Sequence, residues 1–189
     1  MESSVALCII IAAYSAYKLL DWLYRRPRLH NTDDRHILVT GCDHGFGNML
    51  AKRLDALGCH VFAACLTEAG EAEVNNMTSS RCKTVRLDVT SHKSILDAVD
   101  FVKRHLPEKK GLWGLVNNAG IWEAAGPPEF LDLKAYQRSL DVNVLGLLDV
   151  TLAFLPLLKQ EQGRVVNVSS MFGRFSSLGP PRIVYQSME

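Results

Sequence analysis

From residue 36 onward, short apolar runs alternate with stretches in which apolar residues recur every three or four positions. The runs are rich in β-branched and aliphatic residues, as strands are, and they lie at His36–Thr40, Cys59–Cys65, Val85–Val89, Leu112–Val116 and Arg164–Val168. The stretches between them are typical of helices with one buried face. Strands that form continuous apolar runs belong to sheets covered on both faces. The pattern therefore predicts an α/β fold with a doubly wound parallel sheet and right-handed helical crossovers.

Single residues mark the ends of some of these helices. Apolar residues from Met49 to Leu57 repeat at helical spacing, and Gly58 ends that helix. Thr90 or Ser91 can cap a later helix, because a hydroxyl at this position accepts a hydrogen bond from the first turn. A long apolar helix is predicted over Val144–Leu158.

The first 24 residues differ in character from the rest of the chain. Val5–Tyr17 carries no charge, and Trp22 and Tyr24 suit a membrane interface. The run is slightly short for a spanning helix, which needs about 20 mostly apolar residues. An uncleaved anchor, a cleaved signal peptide and an amphipathic or buried helix are the alternatives. The start lacks the positive region of a signal peptide, so we expect residues 1–24 to be a membrane anchor.

Three arginines, Arg25, Arg26 and Arg28, come directly after this segment, within a polar linker over residues 25–34. Basic residues on this side of an anchor favour a cytosolic position for the domain beyond them. Residues 35–189 are then expected to form one domain on the cytosolic face of a membrane.

The composition narrows the possible partners. The 189 residues carry a formal net charge of +1 and no basic stripe, which argues against nucleic acid. The five cysteines show no CxxC spacing, which indicates buried or free thiols in a reducing compartment. No cluster of histidines and cysteines suggests a metal site.

A glycine-rich loop follows the first predicted strand and opens the next helix. Gly41, Gly45 and Gly47 are spaced G-x-x-x-G-x-G, which differs from the common G-x-G-x-x-G fingerprint. Glycines here permit a tight turn and a close approach of backbone to phosphate, and the helix N-terminus supplies free N–H groups. Glycines also mark ordinary turns, but this context favours a dinucleotide site in a Rossmann-like fold.

An acidic residue about 20 positions beyond such glycines would bind the ribose hydroxyls of the cofactor. Glu68 stands near that distance, at or just beyond the end of the second strand, and the next arginine is Arg81. This favours NAD(H) over NADP(H). The alternative is that Glu68 is a solvated loop residue.

Several segments together resemble one family. They occur in order between about residue 35 and residue 174: Thr40-Gly41-x-x-x-Gly45-Phe46-Gly47, Leu87-Asp88-Val89-Thr90, Asn117-Asn118-Ala119-Gly120, Asn143, and Ser169-Ser170. The chain resembles the short-chain dehydrogenases/reductases. It is similar above all to the branch of microsomal retinol dehydrogenases, 17β- and 11β-hydroxysteroid dehydrogenases and 3-hydroxybutyrate dehydrogenase.

The resemblance implies roles for cofactor-binding residues. Gly41, Gly45, Phe46 and Gly47 would form the cofactor loop, and Asp88 would contact the adenine. Asn117 would join neighbouring strands, while Ala119 and Gly120 would leave space beside the cofactor. From the residues alone, Asp88 could instead cap a helix and Asn117 could be a turn former.

The resemblance also implies catalytic residues. Asn143 would help to hold a proton-relaying water, and Ser170 would steady the substrate oxygen. The family's proton-transfer residue is a tyrosine in a Tyr-x-x-x-Lys unit, whose lysine favours the phenolate.

The sequence departs from that unit. Arg182 and Ile183 stand at the expected spacing, and Tyr185, the candidate tyrosine, comes later. Four residues after Tyr185 stands Glu189, an acid that would oppose phenolate formation. The later strands, helices and substrate loop of the family also have no counterpart. We therefore expect a truncated chain with a parallel sheet that is incomplete after the fifth strand.

Two functions of different classes are consistent with these residues. The first is an oxidoreductase that transfers a hydride between a nicotinamide cofactor and a lipophilic alcohol or ketone, retinol-like or steroid-like, at the endoplasmic reticulum membrane. The second is a catalytically impaired chain that binds nucleotide or a partner without turnover. A 3-hydroxybutyrate dehydrogenase would need a mitochondrial targeting segment, and the N-terminus is not Arg-rich. The resemblance also implies a possible homodimer through the long helices.

Overall fold

The computed structural model describes residues 2–24, 32–122 and 132–170, with side chains from residue 10 onward except at 23 and 24. One helix, α1 (Glu2–Tyr24), forms a unit by itself. The second unit has five strands: β1 (His36–Thr40), β2 (His60–Cys65), β3 (Cys82–Arg86), β4 (Gly114–Asn117) and β5 (Arg164–Asn167). Its α-helices are α2 (Gly45–Ala56), α3 (Glu68–Met77), α4 (His92–His105), α5 (Leu133–Leu140) and α6 (Leu147–Gln160). A 3-10 turn spans Thr32–Asp34 and a π-helical segment spans Asp141–Gly146.

The sheet is parallel throughout, in the order β3-β2-β1-β4-β5. The predicted doubly wound α/β fold is therefore confirmed. The strand order reverses between β1 and β4, because the chain first adds strands on one side of β1 and then crosses to the other. Crevices at such a switch point, outside the carboxyl ends of the strands, are where these sheets bind ligands.

Alternate residues of the central strand point into two separate cores. Leu38 of β1 packs with Ile95 of α4 and Phe154 of α6 on one face. Ile37 and Val39 pack on the other face with residues of α2 and α3, among them Ala51. All five residues of β1 are buried, which explains why this strand forms an unbroken apolar run.

β3 was predicted over Val85–Val89, but the structure places it three residues earlier, at Cys82–Arg86. Its register is set by pairing with β2, where Val61 lies opposite Cys82 and Cys65 opposite Arg86. β3 is an edge strand and buries only Cys82 and Val85. Its other residues are polar, so the strand lacks the apolar run that would predict it from the sequence.

The other predicted boundaries are closer. β1 is confirmed residue for residue, and β2 and β5 each differ by one residue at one end. β4 begins at Gly114 rather than at Leu112 and extends to Asn117. Gly58 follows α2 with φ of +94°, and the Ser91 hydroxyl caps α4 by accepting from the Ser94 N–H.

The long apolar helix predicted over Val144–Leu158 is part of a longer helical run. The run starts at Leu133, passes through the π-helical segment and ends at Gln160. By length and apolarity alone, Leu133–Gln160 could cross a membrane. Val150, Phe154 and Leu157 pack against the sheet, as expected of a core helix, while Leu148 and Leu152 are exposed.

The first 24 residues were predicted to be helical, and α1 covers them as one helix from Glu2 to Tyr24. Its 23 residues extend about 34 Å at a rise of about 1.5 Å per residue. Its described apolar side chains are exposed, including Ile10, Tyr14 and Leu20. The side chain of Lys18 lies over the Tyr14 ring, with its Nζ 5.6 Å from the ring centroid.

Candidate functional site

A cavity of about 440 Å³ lies at the carboxyl edge of the sheet. It is lined by the glycine loop after β1, the turn after β2 and the segments that come after β3 and β4. Of the predicted cofactor residues, six line it: Gly41, Gly45, Phe46, Asp88, Ala119 and Gly120. The strand order alone brings these residues together, since they come from three separate strand ends.

Two glycines of the loop are required by close packing. Gly41 has φ of +69°, and a Cβ there would lie 2.8 Å from the Cα of Ala119. A Cβ on Gly47 would collide with the carbonyl oxygen of Gly41 and the side-chain amide of Asn118. No described atom lies within 4 Å of the Cβ position of Gly45, so the loop is open there. The loop is thus tight against the protein on one side and open on another.

The N-terminus of α2 opens directly from this loop. His44 is its N-cap residue, and no described side chain caps it. By contrast, Thr67, Ser91 and Asp132 cap α3, α4 and α5 with side-chain oxygens. The first N–H groups of an uncapped helix are available to an anion, and the helix dipole favours negative charge at that end.

A threonine hydroxyl fixes the glycine loop to the loop after β4. The Thr40 Oγ1 accepts from the backbone N–H of Asn118 at 3.0 Å and of Ala119 at 2.9 Å, and donates to the Val116 carbonyl at 3.4 Å. The Asn118 amide donates back to the carbonyls of Thr40 and Gly41, at 2.9 and 3.1 Å. Thr40 is fully buried, so these bonds define the relative position of the two loops.

Asn117 joins three elements. Its side-chain amide donates to the Thr151 hydroxyl of α6 at 2.8 Å and to the Asn167 side chain of β5 at 2.9 Å. Asn117 does not line the cavity; it lies behind it and is buried. The Asn117 side chain therefore links β4 to β5 and to α6.

Asn143 lies in the π-helical segment and is buried. Its amide forms a paired contact with one residue: Nδ2 donates to the Ile121 carbonyl at 3.0 Å, and Oδ1 accepts from the Ile121 N–H at 2.9 Å. These two bonds hold the segment after Gly120 in place. π-helical turns inside α-helices occur frequently at functional sites.

Asp88 and Glu68 occupy different surroundings. Asp88 lines the cavity, and its Oδ1 accepts from the Thr90 N–H and hydroxyl, so it forms a turn and leaves the capping of α4 to Ser91. Glu68 is the first residue of α3, is 92% exposed and lies 3.8 Å from Arg86. It is outside the set of cavity-lining residues.

Asp43, which the sequence had not singled out, spans from the glycine loop to the end of β2. Its carboxylate accepts from the Leu66 N–H at 2.8 Å, the Thr67 N–H at 2.9 Å and the Thr67 hydroxyl at 2.7 Å. Partial burial by itself raises the pKa of Asp43. The hydrogen bonds from Thr67 and Leu66 outweigh that effect and hold the pKa below its ordinary value.

The Asp43 contacts predict a pH-dependent contribution to stability. Because the folded pKa is lowered, this contribution is present above the unfolded value of about 4 and is lost as pH falls through the folded pKa. We expect Asp43→Asn to lower the urea midpoint at pH 7 and to have a smaller effect at pH 3, which lies below the unfolded pKa. Urea unfolding of both proteins at the two pH values measures this, and an equal difference at both would contradict it.

Of the predicted catalytic residues, the structure describes Asn143 and Ser170. Ser170 comes after β5 at the carboxyl edge of the sheet and is half-buried. Tyr185 and Glu189 lie outside the described residues. Four of the cysteines, Cys42, Cys59, Cys65 and Cys82, are free and buried, as predicted.

Comparison with known families decides where the chain belongs. The family model of the short chain dehydrogenases matches residues 35–186. The chain belongs to the short chain dehydrogenase family. The predicted family resemblance is thereby confirmed, and it covers the whole sheet and the glycine loop described above.

This short chain dehydrogenase is similar in sequence to curated retinol and hydroxysteroid dehydrogenases. It is 50% identical over 163 residues to retinol dehydrogenase 16 of Homo sapiens, a match that covers 86% of this chain and 51% of the relative. It is 47% identical over 163 residues to 17-beta-hydroxysteroid dehydrogenase type 6 of Bos taurus, covering 86% and 51% respectively. The chain thus spans about half the length of the curated relatives it matches.

Solved structures of similar proteins share the architecture. A short chain dehydrogenase from Escherichia coli CFT073, complexed with NADPH, superposes with a TM-score of 0.74 at 25% identity, covering 86% of this chain and 68% of that one. Serine dehydrogenase from Escherichia coli gives a TM-score of 0.71 at 26% identity, covering 81% and 69%.

Proposed function

We propose that this short chain dehydrogenase is an oxidoreductase that binds NAD(H) in preference to NADP(H) and acts on a lipophilic alcohol or ketone. One observation carries the proposal: an uncapped helix N-terminus and an open glycine loop face the same cavity at the switch point of the sheet. Phosphate binding in such folds uses this combination of features.

The residues present fit a dinucleotide. Gly41, Gly45 and the first turn of α2 would hold the pyrophosphate, and Asp88 would accept from the adenine amine. Ala119 and Gly120 would leave room beside the nicotinamide ribose. A bound nicotinamide would supply or accept the hydride. Acidic groups near the end of β2 support the preference for NAD(H), because a ribose hydroxyl donates to a carboxylate and a 2′-phosphate is repelled by one.

The substrate class is inferred from the relatives and from the cavity. The relatives named above are retinol and 17-beta-hydroxysteroid dehydrogenases. After β4 the cavity is bordered by Ile121, an apolar side chain that is 38% exposed. Exposed apolar groups at a ligand site support a lipophilic alcohol such as retinol or a hydroxysteroid.

Three residues would serve the proton transfer. Ser170 would donate to the substrate oxygen, and Asn143 would position the neighbouring backbone through its two bonds to Ile121. Tyr185 is the candidate acid/base, although Glu189 replaces the lysine that would favour its phenolate. This last observation favours a second candidate function, nucleotide binding without turnover.

The proposed location is the endoplasmic reticulum membrane, with α1 as the anchor and the catalytic domain in the cytosol. The continuous helix from Glu2 to Tyr24 and its exposed apolar side chains support an anchor. The arginines after it support the cytosolic orientation. Apolar substrates that dissolve in lipid would reach the enzyme there. We also propose that two copies of the chain associate through the long helical run of α5 and α6.

We expect the full-length chain in detergent micelles to bind NADH and to be stabilised by it. Ligand at a hundred times its dissociation constant stabilises a protein by about 2.7 kcal/mol, so the melting temperature should rise measurably. Nucleotide fluorescence and thermal melting, with NADPH in parallel, measure the affinity and the preference. A folded protein that binds neither nucleotide would contradict the proposal.

The same preparation separates the two candidate functions. Oxidation of retinol or of a hydroxysteroid with NAD would support the oxidoreductase. Binding of NADH with no turnover of retinol, steroids or 3-hydroxybutyrate would support the nucleotide-binding chain. Turnover of 3-hydroxybutyrate alone would assign the chain to that activity instead.

A further inference from the structure

The sequence predicts the acid for the cofactor's ribose beyond β2, but the structure brings one to that place from the glycine loop. Asp43 lies three residues after β1, yet its carboxylate is bonded to the N–H groups of Leu66 and Thr67 directly after β2. Asp43 and Thr67 both line the cavity. The end of β2 is where a dinucleotide's ribose hydroxyls meet a carboxylate in folds of this topology.

The described lysine and arginine side chains that reach α3 are paired with its acids and not with Asp43. Arg86 of β3 forms a two-pronged contact with Glu71, with both distances 3.0 Å. It also lies 3.8 Å from Glu68. Lys52 is paired with Glu73. Because these cations are bound to acids of α3, the turn carries net negative charge.

Hydrogen bonds hold the Asp43 carboxylate at the wall of the cavity. It accepts from the Leu66 N–H and from the N–H and hydroxyl of Thr67, and its own backbone N–H also stabilises the charged form. These bonds fix the side chain, so its negative charge is presented to a ligand in the cavity at a defined position. Glu68, by contrast, is almost fully exposed on α3 and is fixed only by a long contact with Arg86.

We propose that Asp43 is the residue that selects NAD(H) against NADP(H), by accepting from the adenosine ribose and by repelling a 2′-phosphate. The proposal rests on the proposed nucleotide-binding function and replaces Glu68 in that role. Asp43 acts here as a specificity-determining residue, and its bonds to the β2–α3 turn are what place it.

The test compares dissociation constants of NADH and NADPH for the full-length chain and three variants. Asp43→Asn removes the charge and keeps the shape. A dianionic phosphate about 6 Å from a carboxylate loses about tenfold in affinity even at the dielectric constant of water. We therefore expect Asp43→Asn to shift the NADPH/NADH affinity ratio about tenfold toward NADPH, and the shift to shrink in high salt because exposed charges are screened.

Two variants separate charge from structure. Thr67→Val removes the hydroxyl bond to Asp43, together with the side-chain cap of α3, and keeps the charge of Asp43. The Leu66 and Thr67 N–H groups still hold the carboxylate, so the affinity ratio should stay near that of the wild type even if the protein is less stable. Glu68→Gln tests the competing assignment and should leave the ratio within about twofold. A ratio that moves with Glu68→Gln and not with Asp43→Asn would overturn the proposal. So would an Asp43→Asn variant that remains folded but weakens both nucleotides equally. A wild-type chain that binds neither nucleotide would instead overturn the proposed function itself.

Discussion

Gly47→Ala is expected to abolish measurable nucleotide binding and to destabilise the fold by about 3 kcal/mol. The added methyl group would lie against the Gly41 carbonyl oxygen and the Asn118 amide, closer than carbon atoms approach in proteins. Both neighbours are fixed, since the Asn118 amide is bonded to the carbonyls of Thr40 and Gly41. The loop must therefore move away from its position at the start of α2. Misplacement of a binding loop by about 1 Å costs on the order of a hundredfold.

The measurement is NADH affinity by fluorescence together with the urea midpoint. Gly114→Ala is the matched control, because its added Cβ would lie 3.5 Å from the Ile37 side chain, an ordinary contact distance. We expect that variant to retain NADH binding. If Gly47→Ala bound NADH as tightly as the wild type, the loop would not be the phosphate site.

Thr40→Val is expected to lower the free energy of unfolding by about 3 kcal/mol without changing the shape of the side chain. The valine removes the acceptor that serves two partly buried N–H groups, those of Asn118 and Ala119. A buried donor left without a partner costs about 1–3 kcal/mol. The loop after β4 would then be attached to β1 and the glycine loop mainly through the Asn118 side-chain amide, so NADH affinity should fall together with stability.

Thr40→Ser is the matched variant, because it keeps the hydroxyl and removes only a methyl group. Urea unfolding should show the serine variant within about 1 kcal/mol of the wild type. Equal destabilisation by valine and serine would show that the methyl group, and not the hydroxyl, matters at this position.

How far the sequence could predict this molecule depends on how local each feature is. β1 was found in full because all its residues are buried, and burial produces an apolar run that needs no other information. β3 was placed three residues late because its position depends on register with β2, and an edge strand shows little apolar pattern. The π-helical segment around Asn143 was not predicted, since a change of one residue in the hydrogen-bonding partner does not alter the apolar pattern of the sequence enough to be seen.

The candidate site shows the same division. The glycine loop and the residues after β4 could be found from motif spacing, because their chemistry is contained in a few consecutive residues. Thr40 and Asn118 were found only as members of motifs, without a role, and Asp43 was not selected. Their roles come from contacts between separate segments; the Thr40–Asn118 bond joins residues 78 positions apart. Glu68 was selected by its distance in sequence, whereas the fold places the Asp43 carboxylate at the end of β2.

The strand order also affects when each strand can join the sheet during synthesis of the chain. β1, β2 and β3 are consecutive, so they can pair while the ribosome is still adding the later residues. β4 lies on the other side of β1 and is synthesised more than 70 residues after it. At about 5–20 residues per second, several seconds pass before Asn118 can reach Thr40. During that interval one edge of β1 is open to other strands, and the glycine loop has no second wall. The cavity has both of its walls only after β4 has joined the sheet, so a nucleotide that binds as proposed would be a ligand of the folded sheet and not a template for it.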